Sequence, residues 1–128
     1  MIADGKRPRL RKPAADRPKE IVLHMQVASL LRQAARREWR WTHIPSGEHR
    51  DIRTAAKLKQ MGTMRGWPDF ILLSPEGVAH SLELKRRGGQ LSEAQAEFRA
   101  WAEGHELPYA VADNFDAALA ILKQWGAI

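Results

Sequence analysis

Residues 66–85 read GWPDFILLSPEGVAHSLELK, and the way this run folds decides the architecture. Asp69 to Leu73 is apolar after its first residue, with Pro68 in front and Ser74-Pro75-Glu76-Gly77 behind, the composition of a buried strand followed by a hairpin turn. The returning segment, Val78 to Lys85, is then its antiparallel partner, and Arg86-Arg87-Gly88-Gly89 breaks the sheet. Side chains two residues apart in a strand share a face, so Glu83 and Lys85 project together while Leu84 points the other way, into the core. Counting outward from the turn sets Asp69 opposite the Glu83–Lys85 stretch. Two carboxylates and an amine therefore converge at one end of an apolar sheet.

Burying Asp beside Glu is costly unless a cation offsets their repulsion, and hard divalent cations take oxygen ligands of this type. A metal there can polarise a phosphoryl oxygen and lower the pKa of a bound water, and Lys85 beside it can position that water or stabilise developing charge. An isolated Glu-x-Lys is more often an ordinary ion pair at a strand end. The surrounding sequence has to decide.

Working outward, Ile21, Val22, Met25, Ala28, Leu31 and Ala35 recur at three- and four-residue steps, which predicts a helix over 17–37 with that stripe as its buried face. Asp16 suits its N-cap and Pro18 its first turn. Trp39 to Ile44 alternates bulky and polar groups and stops at Pro45, a strand closed by a turn at Ser46-Gly47. A short amphipathic helix over 52–61 ends at Gly62. Ser92 caps a helix to about Glu103, Tyr109 to Ala112 forms a strand, and Asn114 caps a final helix ending near Gly126. The order is αβαββαβα, an α/β fold with a mixed sheet flanked by helices.

Length and composition set the limits. A chain of 128 residues, 44% hydrophobic, suits one domain with its own core, here over 18–128. With no cysteine there is no disulfide framework and no thiolate metal site, so a metal must be held by oxygen or imidazole. No long apolar window or secretory pattern is visible, so the expected location is intracellular, in the cytoplasm. Of the net charge of +6, most sits in residues 1–17, where Lys6, Arg7, Arg9, Arg11, Lys12 and Arg17 face only Asp4 and Asp16. Such a basic, flexible arm can neutralise phosphates. The same composition also fits a solvated terminus with no partner.

Gly66-Trp67-Pro68-Asp69 followed after a hairpin by Glu83-Leu84-Lys85 resembles the signature of the PD-(D/E)XK nucleases. Ile44-Pro45-Ser46-Gly47, the run from Ala55 to Gly62, Glu83-Leu84-Lys85-Arg86 and Leu91-Ser92-Glu93-Ala94-Gln95 stand around it in the order and spacing of the VRR-NUC branch. The resemblance spans about Glu20 to Trp125. It implies a restriction-endonuclease-like fold and hydrolysis of DNA phosphodiesters dependent on Mg²⁺ or Mn²⁺. By position it implies that Asp69 and Glu83 bind the metal with the main-chain carbonyl of Leu84, that Lys85 is the catalytic lysine, and that Gln95 lines the site. Glu20 corresponds to an acid that often joins the metal shell. Standalone relatives act as homodimers on branched DNA, which extends the expectation to that substrate and assembly.

Gln95 and Glu20 also suit purely local roles. Ser92 to Gln95 is a capping box, in which the Gln amide returns to the Ser92 backbone. Glu20 in a first turn is favoured by the helix dipole whatever its function. The histidines at 24, 43, 49, 80 and 105 show no metal-binding spacing and read as surface or core residues. Arg50, Arg53, Lys57, Lys59, Arg65, Arg86 and Arg87 flank the proposed site in sequence and are candidates for phosphate contacts. Trp67, in the turn beside Asp69, is a candidate for stacking on a base, while Trp39, Trp101 and Trp125 read as core. A different class of function, a non-catalytic nucleic-acid-binding module retaining the fold, is disfavoured by the joint presence of Asp69, Glu83 and Lys85.

Overall fold

The computed structural model describes residues 16–45 and 51–128. Its elements are α1 (Asp16–Ala34), β1 (Arg40–His43), α2 (Ile52–Gln60), β2 (Phe70–Leu73), β3 (Ala79–Leu84), α3 (Glu93–Gly104), β4 (Tyr109–Ala112) and α4 (Phe115–Trp125). This is the αβαββαβα order that periodicity and turn chemistry predict. Residues 1–15 of the basic arm expected over 1–17, the Ser46–Gly47 turn, His49 and Arg50 lie outside the described residues.

The four strands form one sheet in the order β1-β2-β3-β4, antiparallel at the first two junctions and parallel at the third. A parallel step requires a crossover, which α3 supplies between β3 and β4. The hairpin between β2 and β3 closes through a backbone bond from the Ser74 N–H to the Val78 carbonyl and a Val78 N–H to Ser74 Oγ bond, with Gly77 at φ +84° in the turn. Phe70 then faces Leu82, so one step further along the ladder Asp69 and Glu83 stand side by side.

Strand β3 is covered on both faces. Leu82 and Leu84 join Leu23, Val27, Leu31, Phe70, Leu72, Ala118 and Leu122 in the core beneath α1 and α4, whereas Glu83 points to the α3 side. Fully burying a Leu or Phe contributes roughly 1.5–3 kcal/mol. This stripe is therefore what fixes the register that aligns the acids.

Two packing expectations need correction. On α1 the buried positions are Leu23, Val27 and Leu31, and Ile21, Val22 and Met25 are exposed. The apolar stripe read from the sequence thus marks the outward positions over the first two turns. The inward line there includes the polar residues Glu20 and His24, which reach Arg86 and Asp69 at the sheet end, so hydropathy alone marks the wrong face. Trp101 is not core but 54% exposed, because α3 presents Ala102 to β4 and leaves Trp101 against Phe98 and His105. Trp39 is buried, and its ring meets His80, which also contacts Trp125.

Helix α2 starts as expected, with Asp51 Oδ1 accepting the Thr54 N–H at 2.7 Å. None of its residues is buried.

Candidate active site

Asp69 is the residue just before β2. Its Oδ2 accepts the Leu84 N–H at 2.7 Å, locking the carboxylate onto the end of β3. Its main-chain carbonyl accepts the Ile44 N–H and the His43 Nδ1–H, both at 2.8 Å, so the backbone there is held by β1 as well. Oδ1 is left facing the His24 ring, whose Nε2 lies 3.8 Å away. The two histidines meet edge to face, with centroids 5.4 Å apart.

Glu83 is 1% exposed. Its Oε2 accepts from Gln95 Nε2 at 2.8 Å and lies 3.7 Å from Lys85 Nζ, while Oε1 is buried with no hydrogen-bond partner. Gln95 reaches Glu83 because the first turn of α3 fixes it: Gln95 Oε1 accepts the Ser92 N–H at 2.8 Å, and Ser92 Oγ accepts the Gln95 N–H. The capping box is formed, and the other end of the same amide bonds Glu83.

That first turn is itself placed by Gly66. A Cβ on Gly66 would fall 2.5 Å from the Ala94 carbonyl oxygen, and its φ of +87° is open to glycine and strained for other residues. The Gly-Trp-Pro-Asp turn can therefore press its backbone against α3, bringing the start of α3 beside Asp69.

Electrostatically the pair is held out of its usual state. Burial, and next the Asp69 charge, raise the Glu83 carboxyl to about 8 against the pull of Lys85. Burial also raises Asp69, opposed by the Leu84 N–H, His24, His43 and Lys85. Tyr109 on β4 feels the same environment: burial, and then the Glu83 charge, push its phenol up, and its hydroxyl is buried without a partner.

These groups fit a divalent cation. An unpartnered carboxylate oxygen lies beside a second carboxylate, in a setting that disfavours negative charge. Among the described residues no three His, Asp or Glu side chains form a ready-made cage. The available donors are two carboxylates with main-chain oxygen and water, the open all-oxygen shell that Mg²⁺ takes.

Other positions named from sequence are more scattered. Glu20 Oε2 accepts the Arg86 N–H at 3.3 Å, which puts it at the end of β3. Arg53, Lys57 and Lys59 on α2, Arg65 before the turn, and Arg87 after β3 are at the surface, and Arg86 is half-buried. Trp67 is partly exposed, with its ring 5.0 Å from Phe98. Sequence reasoning missed His24 and His43. The available signal was positional: His24 is one helical turn after Glu20, and His43 ends the strand whose register pairs it with Phe70, next to Asp69.

Compared with solved structures, the chain is similar to a VRR_NUC domain protein, with a TM-score of 0.56 over 89% of each chain at 17% identity. The fold is that of a VRR-NUC domain. No family model matches the chain, and no curated protein matches it. The likeness lies in the arrangement of elements. In this VRR-NUC fold the hairpin of β2 and β3 carries both acids, and α3 brings the glutamine across to them.

Proposed function

We propose that the chain is a metal-dependent nuclease that hydrolyses DNA phosphodiester bonds. The observation that carries this reading is the unpartnered, buried Oε1 of Glu83 beside Asp69, with Lys85 on the other oxygen of the same carboxylate. Asp69, Glu83 and the main-chain carbonyl of Leu84 would hold Mg²⁺ or Mn²⁺, with Glu20 as an outer acid at the end of β3. When bound, such an ion polarises the phosphoryl group and acidifies water.

The chain's own residues do the rest. Gln95 and the Leu84 N–H orient the two carboxylates by holding Glu83 Oε2 and Asp69 Oδ2, which leaves Glu83 Oε1 and Asp69 Oδ1 outside those bonds. Lys85 places a positive charge where the attacking water must sit and where negative charge builds on the phosphoryl oxygens. The surface cations Arg53, Lys57, Arg65 and Arg87, with Arg86, supply phosphate contacts along the strand, Arg50 joins them by its place in the sequence, and Trp67 offers a ring for stacking. Action as a homodimer on branched DNA extends this proposal through the resemblance to standalone VRR-NUC proteins.

Incubation of supercoiled plasmid with the protein and Mg²⁺ or Mn²⁺, beside Asp69→Asn, tests the reading. Nicking by the parent and not by the variant supports it. DNA binding without cutting by either would instead make the chain a binding module that retains the fold.

A further inference from the structure

Lys85 also lines a cavity of about 510 Å³ between α1, the end of β3 and the start of α4. Arg86 and Arg87 continue its basic wall, and Val22, Leu23 and Phe115 form an apolar one. Val22 is 50% exposed on a helix with a well-filled core face, and the cavity is where its side chain has a surface to offer. Neither Asp69 nor Glu83 lines this space, so it adjoins the acidic pair, and it shares Glu20, Lys85, Arg86 and Arg87 with the wider nuclease site.

We propose that this cavity receives one unpaired nucleotide of the cleaved strand, adjacent to the phosphate held at Asp69, Glu83 and Lys85. The inference rests on the nuclease reading and narrows its substrate to DNA with a nucleotide out of the stack next to the cut. Size agrees, because pockets for small molecules run from about 300 to 1,000 Å³. Charge agrees as well. Lys85, Arg86 and Arg87 face Glu20 and Asp113 across the space, a lining with one more positive than negative side chain, and Arg87 stands exposed at its rim while Lys85 is shared with Glu83. The apolar wall fits the flat face of a base that has left the helix better than a paired base, which offers only its edges and, at thymine, a methyl group in the grooves.

The test is fluorescence anisotropy in EDTA with two short labelled duplexes, one fully paired and one carrying a single unpaired nucleotide. The parent protein should bind the second about tenfold more tightly, on the scale of one base stacked on a side chain. Val22→Glu, at an exposed position that the core does not need, should make the two affinities equal, and Arg87→Gln should weaken binding of the unpaired substrate more than of the paired one. Equal affinities in the parent, or a preference that survives both substitutions, would overturn the proposal. Cleavage separates the two ideas. A bulge preference in a protein that cuts neither duplex sinks the nuclease reading and leaves the subsite, whereas equal cutting of both duplexes sinks the subsite and leaves the nuclease.

Discussion

The amide of Gln95 donates to Glu83 Oε2 at 2.8 Å while its oxygen accepts the Ser92 N–H at the same distance. One side chain thus joins the start of α3 to the acid at the end of β3. Replacing it by Ala should lower stability by about 1 kcal/mol, the ordinary cost of a lost cap. Nuclease activity should fall further, by about 10–100-fold, as when a group that orients a metal ligand is removed. Ser92→Ala supplies the control, with a similar loss in urea denaturation and a much smaller loss in cleavage rate.

The raised Glu83 carboxyl makes stability depend on pH in a set direction. Between its ordinary value of 4.5 and about 8 the unfolded chain gives up the proton and the folded chain keeps it. The stabilising difference is complete below 4.5 and disappears as pH rises through about 8. The metal-free protein should therefore be more stable at about pH 5 than at about pH 8, by on the order of a few kcal/mol. Glu83→Gln, neutral throughout, should flatten that slope in equilibrium denaturation across pH.

Divalent metal should act on the same carboxylates. Millimolar Mg²⁺ or Mn²⁺ is expected to raise the melting temperature of the parent at about pH 8 by favouring the ionised pair in the folded state. Asp69→Asn and Glu83→Gln should each reduce the shift. An unchanged melting curve in the parent would remove the metal from this site.

Gly66→Ala should be among the costliest single substitutions. The added methyl meets the Ala94 carbonyl at 2.5 Å in addition to adopting a left-handed φ, so α3 must move. A loss above about 2 kcal/mol is expected. Gly62 also has a positive φ but nothing within 4 Å of the added atom, and Gly62→Ala should cost only the backbone strain, about 1 kcal/mol. Urea midpoints of the two variants give the comparison.

The exposed cations of α2 should govern affinity and its salt dependence. Arg53→Gln together with Lys57→Gln is expected to weaken DNA binding to a similar extent for different sequences and to reduce the slope of log affinity against log salt by about two. Titrations at several salt concentrations would show it.

Much of this is legible in the chain because local chemistry and global fold agree. The hairpin over 66–85 is marked by its turn residues, and its period-two arithmetic places Asp69 next to Glu83 without reference to any other part of the molecule. The capping signals at Ser92 and Asn114 set the starts of α3 and α4 for the same reason. Side-chain faces on α1 are less legible: Glu20 and His24 turn inward to meet a strand end distant in sequence, and a rule that sends apolar groups inward cannot anticipate that. His24 and His43 escape notice on similar grounds, since neither lies near Asp69 in sequence and no spacing links them. Trp101 misleads because the close approach of α3 to β4 calls for the small Ala102 at the contact.

Nine residues make two and a half turns, shorter than a peptide needs to hold helical form alone in water, and α2 has only Leu58 half-buried to compensate. Its amide hydrogens should consequently trade with solvent deuterium far sooner than those of β3, and become slower once a polyanion lies along it. The segment leading into the Gly-Trp-Pro-Asp turn would then be one, among the described residues, whose order is set by its ligand.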